Sequence, residues 1–291
     1  MTNITLANAE FTGKWTDDTH MMIGVAESLI ECGGFNGKHM TWTFVRNWQR
    51  EPWRGYGPGP LEVFRMILAG TPWFEAAKRL YGGLGSLGNG GAMRIAPIAL
   101  LYYDDEEKLR EIAYRSAAIT HAHELGMEGA AVQAYAIALA LRTRGPLNPR
   151  DYLEKVAHFS RSDVYRDELN KAIQLLDESD RRVVVRELGN GMEAPNSVPT
   201  AIYCFARNYD SYVKTVLYAV SLGGDADTIA AMAGAIAGAY HGEEGLPQEW
   251  IKKLERAEYI KWLAKKLWRL RKSLETLKSF HITSPSDGLS R

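Results

Sequence analysis

Apolar residues recur at three- and four-residue steps along almost all of this chain, and the strict alternation of a half-buried strand is hard to find in it. From Asp18, residues Met21, Met22, Val25, Leu29 and Ile30 form one such stripe, which Gly33-Gly34 ends. Similar patterns predict helices over residues 41–49, 61–68, 72–81, 92–102, 106–124 and 129–142. After Pro149 they continue over 150–160, 163–176, 179–188, 198–207, 212–222, 229–241 and 248–278. With 46% hydrophobic residues among 291, one core is affordable at this length, and a single all-α domain over residues 1–291 is expected, with a frayed tail from 280. No repeat, low-complexity tract or linker divides it.

Charge excludes some functions. Lys+Arg and Asp+Glu are equal at 35 each, so no net field draws the chain to nucleic acid or an anionic membrane. The most apolar stretch, residues 229–240, is too short to span a bilayer, and its Ala and Gly suit a closely packed core helix. The first residues, MTNITLANAEFTG, lack the basic and apolar regions of a secretory signal. Cys32 and Cys204 are too few for a disulfide framework and are expected as buried, non-catalytic thiols in a cytoplasmic protein. The basic residues of the last helix, Lys252 to Lys272, are interleaved with Trp262, Leu263, Leu267, Trp268 and Leu270, which predicts an amphipathic helix with a solvated face.

Three glycine-rich connections interrupt the helices: residues 54–60, residues 82–91, and Gly223-Gly224. Each is readable as a tight turn, but glycine also lets backbone amides close on an anionic ligand. Two acidic clusters share one grammar. Thr16-Asp17-Asp18-Thr19 opens one helix, and Asp225-Ala226-Asp227-Thr228 opens another more than two hundred residues later. Helix capping explains either cluster alone, yet a doubled Asp exceeds what a cap needs. Four carboxylates brought together would repel one another unless one or two dications lay among them, and oxygen-only donors suit Mg2+ or Mn2+ rather than zinc.

Four ordered motifs, Lys14-Trp15-Thr16-Asp17-Asp18-Thr19, Gly88-Asn89-Gly90-Gly91-Ala92-Met93-Arg94, residues 120–126 (THAHELG) and residues 223–230 (GGDADTIA), resemble the ADP-ribosylglycohydrolase family. Residues 188–191 (LGNG) and 197–205 (SVPTAIYCF) look most like its branch that removes serine-linked ADP-ribose and also acts on poly(ADP-ribose) and O-acetyl-ADP-ribose. The resemblance implies a compact orthogonal helical bundle with a binuclear Mg2+ or Mn2+ centre. Thr16, Asp17, Asp18, Asp225, Asp227 and Thr228 would be the metal ligands, with Asp17, Asp18 and Asp225 catalytic. In the loop of Gly85, Ser86, Leu87, Gly88 and Asn89, the amides of Gly85 and Ser86, with Asn89, would hold the pyrophosphate. Tyr81 would stack on adenine, His121 would contact ADP-ribose, and the loop from Gly57 to Gly59 would approach the distal ribose. Without the resemblance, His121 and Tyr81 read as core residues.

The implied partners are ADP-ribose and ADP-ribosylated proteins, with a monomer expected. The family usually begins with a Gly-rich helix bearing a catalytic acid. Here fifteen residues precede Thr16, and Glu10, the one acidic residue among them, does not match that spacing. The alternatives to a glycosidic hydrolase are an ADP-ribose-binding or structural protein with weak turnover, and a two-metal phosphohydrolase that cuts the pyrophosphate.

Overall fold

The computed structural model describes residues 12–282. Glu10 and most of the expected tail lie outside them. In chain order the helices are α1 (Asp17–Cys32), α2 (Gly37–Arg50), α3 (Pro58–Leu68), α4 (Trp73–Ala76), α5 (Gly90–Met93), α6 (Ala96–Tyr102), α7 (Glu106–Ala117) and α8 (Glu124–Arg142). They continue with α9 (Pro149–Phe159), α10 (Asp163–Gln174), α11 (Arg181–Leu188), α12 (Ala194–Arg207), α13 (Tyr212–Ser221), α14 (Ala226–His241), α15 (Gln248–Lys253) and α16 (Ala257–Ile282). Among the described residues the only sheet-like pairing is one antiparallel bridge between Gly88 and Glu193.

Local chemistry explains many helix starts. Asn36, Asp105, Asn148, Asp180 and Ser211 each accept a hydrogen bond from a backbone N–H of the first turn they precede. Each such cap stabilises its helix by about 1 kcal/mol. Proline occupies the first turn of α3, α6, α9 and α12, where its missing N–H costs nothing.

The centre of the fold is α8, against which α5, α6, α7, α12 and α14 pack. Its run Gly129-Ala130-Ala131 lets neighbours approach closely: a Cβ at Gly129 would stand 2.4 Å from Tyr165 Oη. Gln133 Nε2 donates to Met232 O at 2.9 Å, tying α8 to α14. The sequence 229–240 is therefore a core helix, as its small residues predict, and no helix among the described residues is long and apolar enough to cross a membrane.

Several expected helices are broken, and the breaks carry the site. Residues 106–124 are not one helix: α7 stops at Ala117, and His123 Nδ1 accepts from Leu125 N–H to begin α8. The chain also breaks at Arg94 and Ile95, between α5 and α6, within the expected helix 92–102. Over 72–81, α4 passes into a short 3-10 segment that ends in a kink at residues 80–82, where Tyr81 takes φ 51°. The last expected helix divides at Leu254 to Arg256, where Arg256 has φ 52°. Cys32, at the last turn of α1, is exposed rather than buried, whereas Cys204 is buried. Arg271 departs from the solvated face expected of α16: it is buried, held by Asp104, Glu275 and Leu101 O.

One buried carboxylate anchors this core. Glu128 on α8 is 1% exposed and accepts from Arg110 (3.2 Å), Ser160 Oγ (2.7 Å), Arg161 N–H (2.7 Å) and the Tyr114 hydroxyl. Arg110 in turn stacks on Phe159 at 3.8 Å. Replacing Glu128→Ala leaves the guanidinium buried without its partner, a loss of roughly 3–5 kcal/mol expected in urea unfolding. A loss below about 1 kcal/mol would show that Arg110 finds other compensation.

Candidate functional site

The two acidic clusters meet. Both sit at helix starts that are fixed from outside: Asp17 N–H donates to Arg54 O at 2.7 Å, and Asp225 N–H donates to Asn190 O at 2.8 Å. Neither Thr16 nor Asp225, the residues in capping position, makes a side-chain cap bond. The side chains are engaged with one another instead. Thr16 Oγ1 donates to Asp18 Oδ2 at 2.7 Å, and the Thr228 hydroxyl interacts with both Asp18 and Asp225, across the two clusters.

Electrostatics record the same convergence. Burial, then the charge of Asp18, then those of Asp227 and Asp225, push Asp17 up to about 7. Burial is also the largest cause raising Asp18 and Asp225, with Asp227 adding repulsion to each. Asp18 Oδ1 is buried with no hydrogen-bond partner among the described residues, a costly state for a carboxylate oxygen unless a cation or donor faces it. Among the described residues no group of three or more His, Cys, Asp or Glu side chains is placed closely enough to hold a metal ion as it stands. The donor set nevertheless fits a hard divalent ion: oxygen atoms only, concentrated negative charge, and one unsatisfied buried oxygen.

Beside this cluster runs the loop after the 3-10 turn. Tyr81 is 60% exposed, and a Cβ at Gly59 would lie 3.5 Å from its hydroxyl, so the loops 55–59 and 81–89 adjoin. Gly55 approaches from the same side, its ideal Cβ 3.8 Å from Asp17 Oδ1, while space beyond Gly57 is open. Gly85 has φ 74° and little room: a Cβ there would stand 2.7 Å from His123 N. Its N–H already donates to Leu80 O, so the amide expected to bind pyrophosphate at Gly85 is occupied. The amides of Ser86 and Leu87 have no acceptor among the described residues, whereas Gly88 N–H donates to Ser86 Oγ.

Asn89 also departs from its expected role. Its N–H donates to Met192 O, and its side-chain Nδ2 donates to Ser197 Oγ at 3.0 Å and to Asp225 Oδ2 at 2.6 Å. Both amide hydrogens are engaged, which makes Asn89 a support for Asp225 rather than a free donor. The segment 189–193 completes the link. Asn190 O holds Asp225 N–H, Asn190 Nδ2 holds Leu222 O, and Ala194 N–H bonds Leu87 O. Gly224 is required here, since a Cβ would fall 2.2 Å from Asn190 O.

His121 is 5% exposed, and burial, then the Arg94 charge, lower it to about 3, so its ring is neutral. A cleft of about 490 Å3 opens next to Thr16 and Gly55, with Lys14 and the 71% exposed Trp53 on its rim. Arg54 braces it, stacked 3.9 Å over Trp15 and paired with Glu51 and Glu255. Arg94, Asn190, Ser197 and Arg54 were assigned no role from the sequence. All four lie inside segments singled out there, Arg54 at the start of the glycine-rich stretch 54–60, Arg94 and Asn190 in glycine-rich motifs and Ser197 at the start of 197–205, and that position was the available signal.

The model of the family described as ADP-ribosylglycohydrolase matches residues 2–276. ADP-ribosylhydrolase ARH3 of Bos taurus is 40% identical, over 88% of this chain and 78% of its own, and ARH3 of Homo sapiens is 38% identical with the same coverage. A solved structure described as an ADP-ribosylglycohydrolase-related protein complex superimposes with TM-score 0.71 at 30% identity, covering 89% of this chain and 82% of its own.

Because Asp17 holds its proton more tightly when folded than its ordinary 3.8, the metal-free fold loses stability as pH rises from about 4 to about 7. In chelator, the melting temperature is expected to fall over that window, and Asp17→Asn is expected to flatten the fall. Identical pH profiles for the two proteins would refute the raised proton affinity of Asp17.

Proposed function

The chain belongs to the ADP-ribosylglycohydrolase family, is similar to its ARH3 members and is a hydrolase of ADP-ribose conjugates, and from this premise we propose that it frees ADP-ribose with the help of two Mg2+ or Mn2+ ions. The observation that carries the reading is that Asp17, Asp18, Asp225 and Asp227 come close enough to feel one another's charge, while Asp18 Oδ1 is buried with no hydrogen-bond partner among the described residues. Thr16, Asp17 and Asp18 would hold the ions from α1, and Asp225, Asp227 and Thr228 from α14. Bound there, the ions would orient the distal ribose and stabilise charge as the glycosidic bond breaks.

The rest of the site positions ADP-ribose. The unengaged amides of Ser86 and Leu87 face the need of a pyrophosphate for backbone donors. Gly85 and Gly88 keep that loop thin, and the exposed Tyr81 ring offers a face to adenine. Gly57 leaves room for the distal ribose, which brings the anomeric carbon to Asp17, Asp18 and Asp225. Water then displaces the acceptor, which leaves by the cleft between Trp53 and Lys14. Serine-linked ADP-ribose is the acceptor linkage proposed, with poly(ADP-ribose) and O-acetyl-ADP-ribose as further substrates.

With serine-ADP-ribosylated peptide and Mg2+, chromatography should show intact ADP-ribose as product, and chelator should abolish its release. Asp225→Asn is expected to lower turnover by roughly 100-fold or more, as loss of a charge-stabilising group does. Asn89→Ala should weaken Mn2+ binding by about tenfold through the loss of Asp225 orientation. AMP as the product would instead identify cleavage of the pyrophosphate.

A further inference from the structure

The deepest polar cluster outside the carboxylates is Arg94, Thr120 and His121. Arg94 is fully buried with no acidic partner in hydrogen-bonding contact among the described residues. Its guanidinium lies 4.9 Å over the Phe44 ring, donates through Nη2 to Ser116 O at 2.8 Å, and donates through Nη1 to Thr120 Oγ1 at 2.8 Å. Thr120 is fully buried as well, and its hydroxyl stands 2.8 Å from His121 Nδ1. Burial pulls the Arg94 guanidinium down to about 9, with Tyr56 and then Asp17 working against that fall.

The proton inventory of this chain of three is tightly constrained. An arginine side chain has donors only, so Thr120 Oγ1 accepts from it. The hydroxyl then has one proton to place, and His121 Nδ1 is its only acceptor among the described residues. Were Nδ1 itself protonated, the threonine proton would be buried without an acceptor, at the cost of a lost hydrogen bond. Nδ1 is therefore the acceptor, and the neutral ring carries its hydrogen on Nε2.

That hydrogen has a direction. The Nε2 edge of the ring lies along the glycine loop: a Cβ at Gly88 would sit 3.3 Å from Nε2, and one at Gly90 would sit 2.4 Å from Cε1 and 2.8 Å from Nε2. Glycine at 90 thus makes room for the imidazole, and Nε2 has no hydrogen-bond partner among the described residues. We propose that Arg94 and Thr120 are positioning residues that lock His121 as the Nε2–H tautomer, giving the loop 85–90 a fixed neutral donor for an oxygen of the bound ADP-ribose. This rests on the reading that the loop holds ADP-ribose, although the tautomer itself does not depend on it.

The test uses the full chain with 15N-labelled histidine. Long-range 1H–15N spectra of the wild type should show His121 protonated at Nε2. Thr120→Val removes the hydroxyl at nearly constant volume, and should mix or invert the tautomer and weaken metal-free ADP-ribose binding by roughly five- to tenfold, as loss of one hydrogen bond does. Thr120→Ser, which retains the hydroxyl, should restore both. A wild-type ring protonated at Nδ1 overturns the lock, as does Thr120→Val with unchanged tautomer and affinity. If the valine variant fails to fold, the wild-type spectrum still decides the tautomer. A wild type that shows the Nε2–H tautomer but does not bind ADP-ribose sinks the proposed function and leaves the lock standing.

Discussion

Four carboxylates gathered at the starts of α1 and α14 dominate this molecule. Each helix dipole favours an acidic residue in its own first turn, but bringing two such turns together sets like charges against each other in a partly buried place. Burial first, and then that repulsion, raises Asp17, Asp18 and Asp225, and Asp18 Oδ1 is buried with no hydrogen-bond partner among the described residues. A fold that maintains such an arrangement must hold it from outside. Arg54 O on Asp17 N–H and Asn190 O on Asp225 N–H do this through backbone rather than through charges that would neutralise the site.

The loop 85–89 is built into the same frame. Asn89 bonds Asp225 with its side chain and Met192 with its backbone, so loop 85–89, segment 189–193 and the start of α14 form one hydrogen-bonded circuit. Movement of the loop must therefore be felt at Asp225. This gives a physical route by which occupancy of the proposed ADP-ribose and cation sites would affect one another, with Asn89 the shared residue.

Helix breaks supply the remaining parts. Ending α7 at Ala117 releases His121 toward Gly88 and Gly90, and the interruption between α5 and α6 leaves Arg94 buried beneath it. Tyr81 reaches the surface at the non-helical kink over residues 80–82, where it takes positive φ. These three breaks lie at or beside a glycine or histidine motif, and each trades helical hydrogen bonds for placement of a side chain. The packed pair α8 and α14, with Gln133 and the small residues between them, provides the rigidity against which those departures are fixed.

Much of this was legible in the residues. Apolar periodicity at three and four positions determines helices because a buried stripe must recur with the helical turn, and the doubled aspartates announce more negative charge than capping needs. The resemblance of four ordered motifs identified the family. What the periodicity could not reveal was where helices stop within an apolar run, since residues 106–124 and 92–102 continue the pattern through breaks decided by tertiary contacts. Nor could spacing reveal which donors are already engaged. Gly85 N–H is taken by Leu80 O and the Asn89 amide by Asp225 and Ser197, and those partners are chosen only when distant segments pack. Composition and local pattern dictated helices and charge; the direction of each hydrogen bond was decided by three-dimensional proximity, because a hydrogen bond depends on distance and angle rather than on position along the chain.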